Sequence, residues 1–162
     1  MASITLEQSM ASVVRFIIDN DTEGTKAYFE ETPDSFYSPS VYFPVPYVDG
    51  RQVTLQTYLN TITFVAWFQA RTDWEAEARA AKIRDLLTLN RLHIPILNKD
   101  GTETGQSIAV DQPQQRKIEE GIVSLSIPVK DYYYWNVEYD KINHFIPEWK
   151  EATDNFREED NK

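Results

Sequence analysis

The strongest hint of chemistry lies in the run Asp19-Asn20-Asp21-Thr22-Glu23-Gly24, with Glu30 at the twelfth position counted from Asp19. Oxygen ligands at alternate positions, a glycine at the sixth and a glutamate at the twelfth make a cage for Ca²⁺. Three departures count against it. Glu23 stands where a shorter acid or amide is usual, Lys26 occupies the apolar eighth position, and Pro33 stops an outgoing helix almost at its start. An acidic turn that ends a helix near Gly24, holding no metal, is therefore the expected state. Asn98, Asp100 and Gly101 imitate the same loop, but Ile96 and Ser107 sit where its first and last ligands belong.

Other catalytic groupings fail on spacing. The two histidines, His93 and His144, would need distant acids to converge on them for a triad or a metal site, so both are expected to be structural. There is no cysteine, no Gly-x-Ser-x-Gly, and, with five glycines, no phosphate loop or dinucleotide fingerprint. The carboxylate pairs Glu30-Glu31 and Glu119-Glu120 are adjacent in sequence, so their side chains diverge and serve acid–base work poorly. The expectation is a non-enzymatic protein with no catalytic residue, cofactor or metal. Tyr132-Tyr133-Tyr134-Trp135 offers a stacking surface, yet a nucleic-acid platform needs an electropositive groove, and only Lys130 and Lys141 are near. Protein contact is the better use for these four aromatics.

The composition agrees. A formal charge of −10 repels phosphates and anionic lipids, which argues against sequence-specific nucleic-acid binding and against a membrane partner. The start Met1-Ala2-Ser3-Ile4-Thr5 has no basic region or cleavage site, and no apolar run approaches the ~18 residues of a membrane helix, so an unprocessed, soluble chain is expected. The absence of cysteine points to a reducing compartment.

The elements that must position these groups follow from periodicity. Leu6, Met10, Val13, Val14, Ile17 and Ile18 share one helical face, with Thr5 and Gln8 in capping-box spacing. From Val41 to Val48 apolar residues alternate, while Pro44 and Pro46 withdraw two ladder donors and predict an edge strand. Asp49-Gly50 predicts a hairpin turn. The returning strand, Gln52 to Ala70, changes phase near Tyr58 to Asn60, where a bulge is expected. Thr72 and Glu75 cap a second helix carrying Ala76, Ala80, Ile83 and Leu87. Leu92–Leu97 and Gln106–Asp111 predict a short hairpin around an exposed, mobile loop at 98–105, and Val123, Leu125, Ile127 and Val129 a strand with one wet face. Pro147 opens a short helix with Trp149, Ala152 and Phe156 on one face.

Together these predict one α+β domain over residues 1–158 with a frayed tail at 159–162. An antiparallel sheet with a long hairpin packs against two main helices, in the order α-β-β-α-β-β with an extra short hairpin.

The helix Thr5 to Ile18, the strand around Tyr42-Phe43-Pro44-Val45-Pro46, the strand Thr61 to Phe68, the helix Asp73 to Leu89 and the strand Ile122 to Val129 follow one another in a small, acidic, cysteine-free chain. In that order the chain resembles the tail terminator, or tail completion, proteins of long-tailed bacteriophages. The hairpin from Leu92 to Asp111 and the aromatic C-terminal segment exceed that family's minimal pattern. The resemblance implies a virion protein, assembled in the host cytoplasm as a homo-oligomeric ring, expected to be a hexamer. Such a ring caps the tail tube and then docks to a head completion or neck protein, while DNA passes through it. On that reading Trp67, Tyr132, Tyr133, Tyr134 and Trp135 are interface residues, and the loop Asp100, Gly101, Thr102, Glu103, Thr104 and Gly105 is a docking element. Two other readings use the same features: a different head–tail connector or tube-like component, and a small acidic immunity or inhibitor protein expected to stay monomeric.

Overall fold

The computed structural model describes residues 5–29 and 37–134. Ten elements follow in order: α1 (Leu6–Asn20), β1 (Lys26–Phe29), β2 (Ser40–Phe43), β3 (Tyr47–Thr54), β4 (Thr57–Gln69), α2 (Asp73–Leu89), β5 (His93–Leu97), β6 (Glu103–Ala109), β7 (Gln114–Glu119) and β8 (Ile122–Tyr134). The class is α+β, as the patterning predicts. One sheet runs β1-β2-β4-β8-β7, with β3 pairing β4 on the side that β2 also uses, and β5 and β6 form a separate pair. All pairings are antiparallel except β1 with β2.

The core lies on one face of the large sheet. Phe64, Ala66 and Phe68 of β4 alternate toward it, as do Val123, Leu125 and Ile127 of β8, and Val41 and Phe43 extend it across β2. Against this face packs α2, whose fully buried Ala76 and Ala80 let the helix axis approach closely while Ile83 and Leu87 fill the space between. From α1, Val13 and Ile17 point inward, and the small hairpin adds Ile94, Ile96 and Ile108.

Both helices begin as their sequences predict, with Thr5 accepting from the Gln8 amide and Thr72 from the Glu75 amide. The Gln8 side chain, however, reaches away from its own helix and donates to the Leu97 carbonyl, while the Leu97 amide donates to Ser12 Oγ. Two polar side chains of α1 thereby satisfy backbone groups on β5.

Several boundaries differ from expectation. The segment Val41–Val48 is not one edge strand: Pro44-Val45-Pro46 separates β2, which is internal between β1 and β4, from β3. Asp49-Gly50 is not a turn. It lies inside β3, with Asp49 opposite Thr61 and Gly50 opposite Asn60, and the chain reverses at Leu55-Gln56 instead. Accordingly β4 begins at Thr57 rather than Gln52, and its pairing with β8 is uninterrupted from Thr57 opposite Tyr134 to Gln69 opposite Ile122. The expected bulge near Tyr58 lies across the ladder, between Gln52 and Thr54 of β3. The exposed loop is shorter than 98–105, because β6 starts at Glu103, and Ser124 is buried although it faces away from the core. The helix expected after Pro147 lies outside the described residues.

Candidate functional site

From Thr63 to the turn at Leu55-Gln56 the sheet consists of three strands, β3, the first half of β4 and the second half of β8, a ribbon that forms an arm of the sheet. All eight residues of β3 are exposed, so burial does not hold this strand; its ladder to β4 does. The support comes from the neighbouring ladder, where Thr57, Tyr58 and Leu59 pair with Tyr134, Tyr133 and Tyr132. Leu59 is 2% exposed, between its direct neighbours Arg51 and Tyr132. Cross-strand pairs of this type stabilise a ribbon by roughly 0.2–1 kcal/mol each. Gly50 permits a close approach: a Cβ there would stand 2.3 Å from the Tyr58 hydroxyl and 2.9 Å from Asn60 Oδ1.

The arm is tied down at its root. The Asp111 amide donates to the Pro128 carbonyl at 2.7 Å, Val110 bridges Val129, and Lys130 Nζ pairs with the Asp111 carboxylate. That Lys130 contact, joined by the Gln112 amide, holds the Asp111 carboxyl below its usual range. Further out, the contact between Tyr133 and the Asp131 carboxylate holds the phenol above its usual value.

The arm's outer surface is apolar for an exposed element. Tyr47, Val48, Val53, Leu55, Tyr132, Tyr133 and Tyr134 are all exposed, with Leu55 and Tyr134 at 77%. Isolated exposed apolar residues are ordinary, but here the register puts Tyr47, Tyr132 and Tyr134 on one face of the ribbon and Val48 and Tyr133 on the other, with Leu55 at its tip, so both faces offer apolar surface to a partner. Beside the arm's root, α1 and the β1–β2 end of the sheet border an apolar groove of about 730 Å³. It is lined by Leu6, Met10, Val14, Phe29, Phe43 and Val45, and the rings of Phe29 and Phe43 stack at 5.5 Å.

The residues singled out from sequence fall in different places. Tyr132, Tyr133 and Tyr134 lie together on the arm, and Trp135 lies outside the described residues. Trp67 is half-buried in the body of the sheet, where its ring meets Tyr42 edge-on at 5.5 Å. The docking-loop residues divide. Asp100 accepts from the Thr102 amide and hydroxyl, which holds its carboxyl below the usual range, and Gly101 turns the chain at φ +84°. Glu103, Thr104 and Gly105 belong to β6, and Thr104 donates to the Ile96 carbonyl.

The near-calcium loop takes other partners. Asp19 pairs with Arg15, and Asp21 receives two guanidinium nitrogens of Arg79. After Gly24 the chain enters β1 rather than a helix. Arg79 also donates to the Gln69 and Ser40 carbonyls, and its guanidinium lies over the Phe68 ring at 5.5 Å. His93 is exposed, its Nδ1 2.7 Å from the Arg91 carbonyl, while His144 lies outside the described residues.

Val48, Val53, Leu55 and Arg79 were missed by sequence reasoning. An apolar Leu55 at the hairpin tip, and an arginine sharing a helix face with Ala76 and Ile83, were the available signals.

No protein-family profile matches the chain. It is 28% identical over 109 residues to the phage-like element PBSX protein XkdJ of Bacillus subtilis (strain 168), an alignment covering 67% of this chain and 75% of that protein. The similarity supports a phage-related protein.

Proposed function

We propose that this chain is a structural component of a phage-type virion that acts by association. It assembles into a homo-oligomeric ring, six copies in the preferred form, which caps the tail tube and joins it to a head completion or neck protein. One observation carries the reading: a ladder-held, three-stranded β-arm whose two faces and tip carry exposed apolar and aromatic residues. Such a surface is worth its exposure when a partner covers it. The similarity to a phage-like element protein supplies the setting. The net charge of −10 suits a passage for DNA, because an acidic wall does not retain phosphates through counterion release. No chemistry on a substrate is assigned to it.

Light scattering of the purified chain over a range of concentrations tests assembly, with a mass of six copies expected. Alanine at Tyr132, Tyr133, Tyr134 and Trp135 is expected to reduce ring formation and the joining of tails to heads. Unchanged ring size and unchanged joining would remove these residues from the interface.

A further inference from the structure

The outer edge of β3 is open. Among the described residues only β4 pairs with this strand, and no proline interrupts it from Tyr47 to Thr54. Which main-chain groups face that edge follows from two hydrogen bonds elsewhere in the sheet. The Ala70 amide donates to the Gly121 carbonyl, one step beyond Gln69 opposite Ile122, so the even-numbered residues of β4 turn their main chain toward β8. The Pro128 carbonyl, taken by the Asp111 amide, points away from β4 and fixes the same phase. The odd-numbered residues of β4 therefore bond β3, through Thr63 with Tyr47, Thr61 with Asp49 and Leu59 with Arg51. Val48, Gly50 and Gln52 are left with amide and carbonyl facing outward, and the stretch ends at the irregularity between Gln52 and Thr54.

An open edge is a template for another strand, and the side chains along it name which one. Of the charged residues on the arm, Lys130 pairs with Asp111 and Asp131 contacts Tyr133; both lie on β8, two strands away from this edge. On β3 itself, Asp49 and Arg51 are exposed and share one face, and among the described residues neither takes part in an ion pair. They stand symmetrically about Gly50. Turned end for end, Val48-Asp49-Gly50-Arg51-Gln52 therefore sets opposite charges against each other.

We propose that two copies of this chain pair β3 with β3, antiparallel, across a two-fold axis at Gly50. Val48 of one copy lies opposite Gln52 of the other and Gly50 opposite Gly50, each pair exchanging two main-chain hydrogen bonds. Asp49 of each copy lies opposite Arg51 of the other, in the closer, non-hydrogen-bonded positions where side chains meet. Charge also selects the register. A slip of two residues in one direction puts Asp49 against Asp49, and in the other Arg51 against Arg51. The contact uses the same patch on both copies and does not rest on the ring reading: six copies can be three such pairs, and a chain that forms no ring still pairs.

The test is a charge exchange followed by sedimentation velocity. Asp49→Arg alone and Arg51→Asp alone each place like charges opposite one another, and each is expected to pair at least about tenfold more weakly than the parent. Mixing the two variants restores pairing, because every arginine then faces an aspartate, and the double variant Asp49→Arg with Arg51→Asp restores it in a single sample. Both positions are exposed, so the circular dichroism melts of the dilute variants are expected to match the parent. In hydrogen exchange, the Val48, Gly50 and Gln52 amides are expected to slow as concentration rises, whereas those of Asp49 and Arg51, which bond β4, are slow throughout.

Single exchanges that associate like the parent, or a mixture that restores nothing, overturn the pairing. Growth in mass with no change at the Val48, Gly50 and Gln52 amides assigns association to another surface, which refutes the pairing and leaves the ring reading standing. A mass that stops at two copies, with the exchanges behaving as expected, supports the pairing and refutes a six-copy ring of the free chain. A parent that stays single at every concentration refutes both.

Discussion

Arg79 and Asp21 form an ion pair whose side chains are 5% and 0% exposed, linking α2 to the turn that follows α1. The guanidinium fork meets the carboxylate through Nε and Nη2, Nη1 donates to the Gln69 carbonyl and Nη2 also donates to the Ser40 carbonyl, so its charge and its donors are both used. Removing one partner strands the other. Arg79→Ala is expected to destabilise the fold by about 3–5 kcal/mol in urea denaturation. Arg79→Lys should also weaken it, since an ammonium cannot reproduce the fork.

At the start of α2, Asp73 accepts from the Gly121 amide and from Lys117 Nζ, and these contacts hold its carboxyl below 3.8. A carboxylate depressed by folding contributes stability above its unfolded value, and that contribution is lost as pH falls through the folded one. Lys117, raised above 10.5 chiefly by the Asp73 contact, contributes below its unfolded value and loses this as pH rises through the folded one. The pair is thus intact across neutral pH. Asp73→Asn is expected to flatten the acid side of a plot of urea midpoint against pH, with little change in the plot's shape between pH 5 and 9.

At the scale of elements, the two helices, the small hairpin and the core face of β8 were legible because one face is buried and the other wet, which writes a period into the sequence. The arm erased that signal. With every residue of β3 exposed, neither phase is marked, so Asp49-Gly50 carried the turn on local chemistry alone and lost to the longer ladder with β4. The glycine that does end a hairpin is Gly121, at φ +72°, between β7 and β8. A Cβ there would lie 2.7 Å from the Ala70 carbonyl oxygen. Gly121→Ala is expected to cost more than about 1 kcal/mol, combining a strained φ with a backbone clash, and to lower the thermal midpoint. The parallel pairing of β1 with β2 was invisible for another reason: β1 has four residues and no buried position. Of the candidate site, the tyrosines of β8 were legible as an aromatic run, whereas the groove was not, because α1, β1 and β2 meet only after folding.

For the whole molecule, stability and association are carried by separate regions. The core lies under α2 and α1, while half of the fourteen exposed large hydrophobics among the described residues lie on the arm. Val48→Thr with Leu55→Ser is therefore expected to leave the calorimetric midpoint nearly unchanged, each substitution falling within ~0.5 kcal/mol, while reducing the mass seen by light scattering. The residues that fold this chain and those that would join it to a neighbour can change independently.

The unbroken ladder between β4 and β8 has a mechanical meaning. Thirteen consecutive pairs run from the buried Gln69, opposite Ile122, to Thr57, opposite the exposed Tyr134, so the arm and the body share two strands with no hinge between them. Tension applied at the tip along the strand axis loads these pairs in shear, all at once, instead of peeling them one by one. An assembly that pulled on its neighbours through such arms would pass the load directly into each core, and the force needed to detach a subunit would be set by the unfolding rate of that ladder.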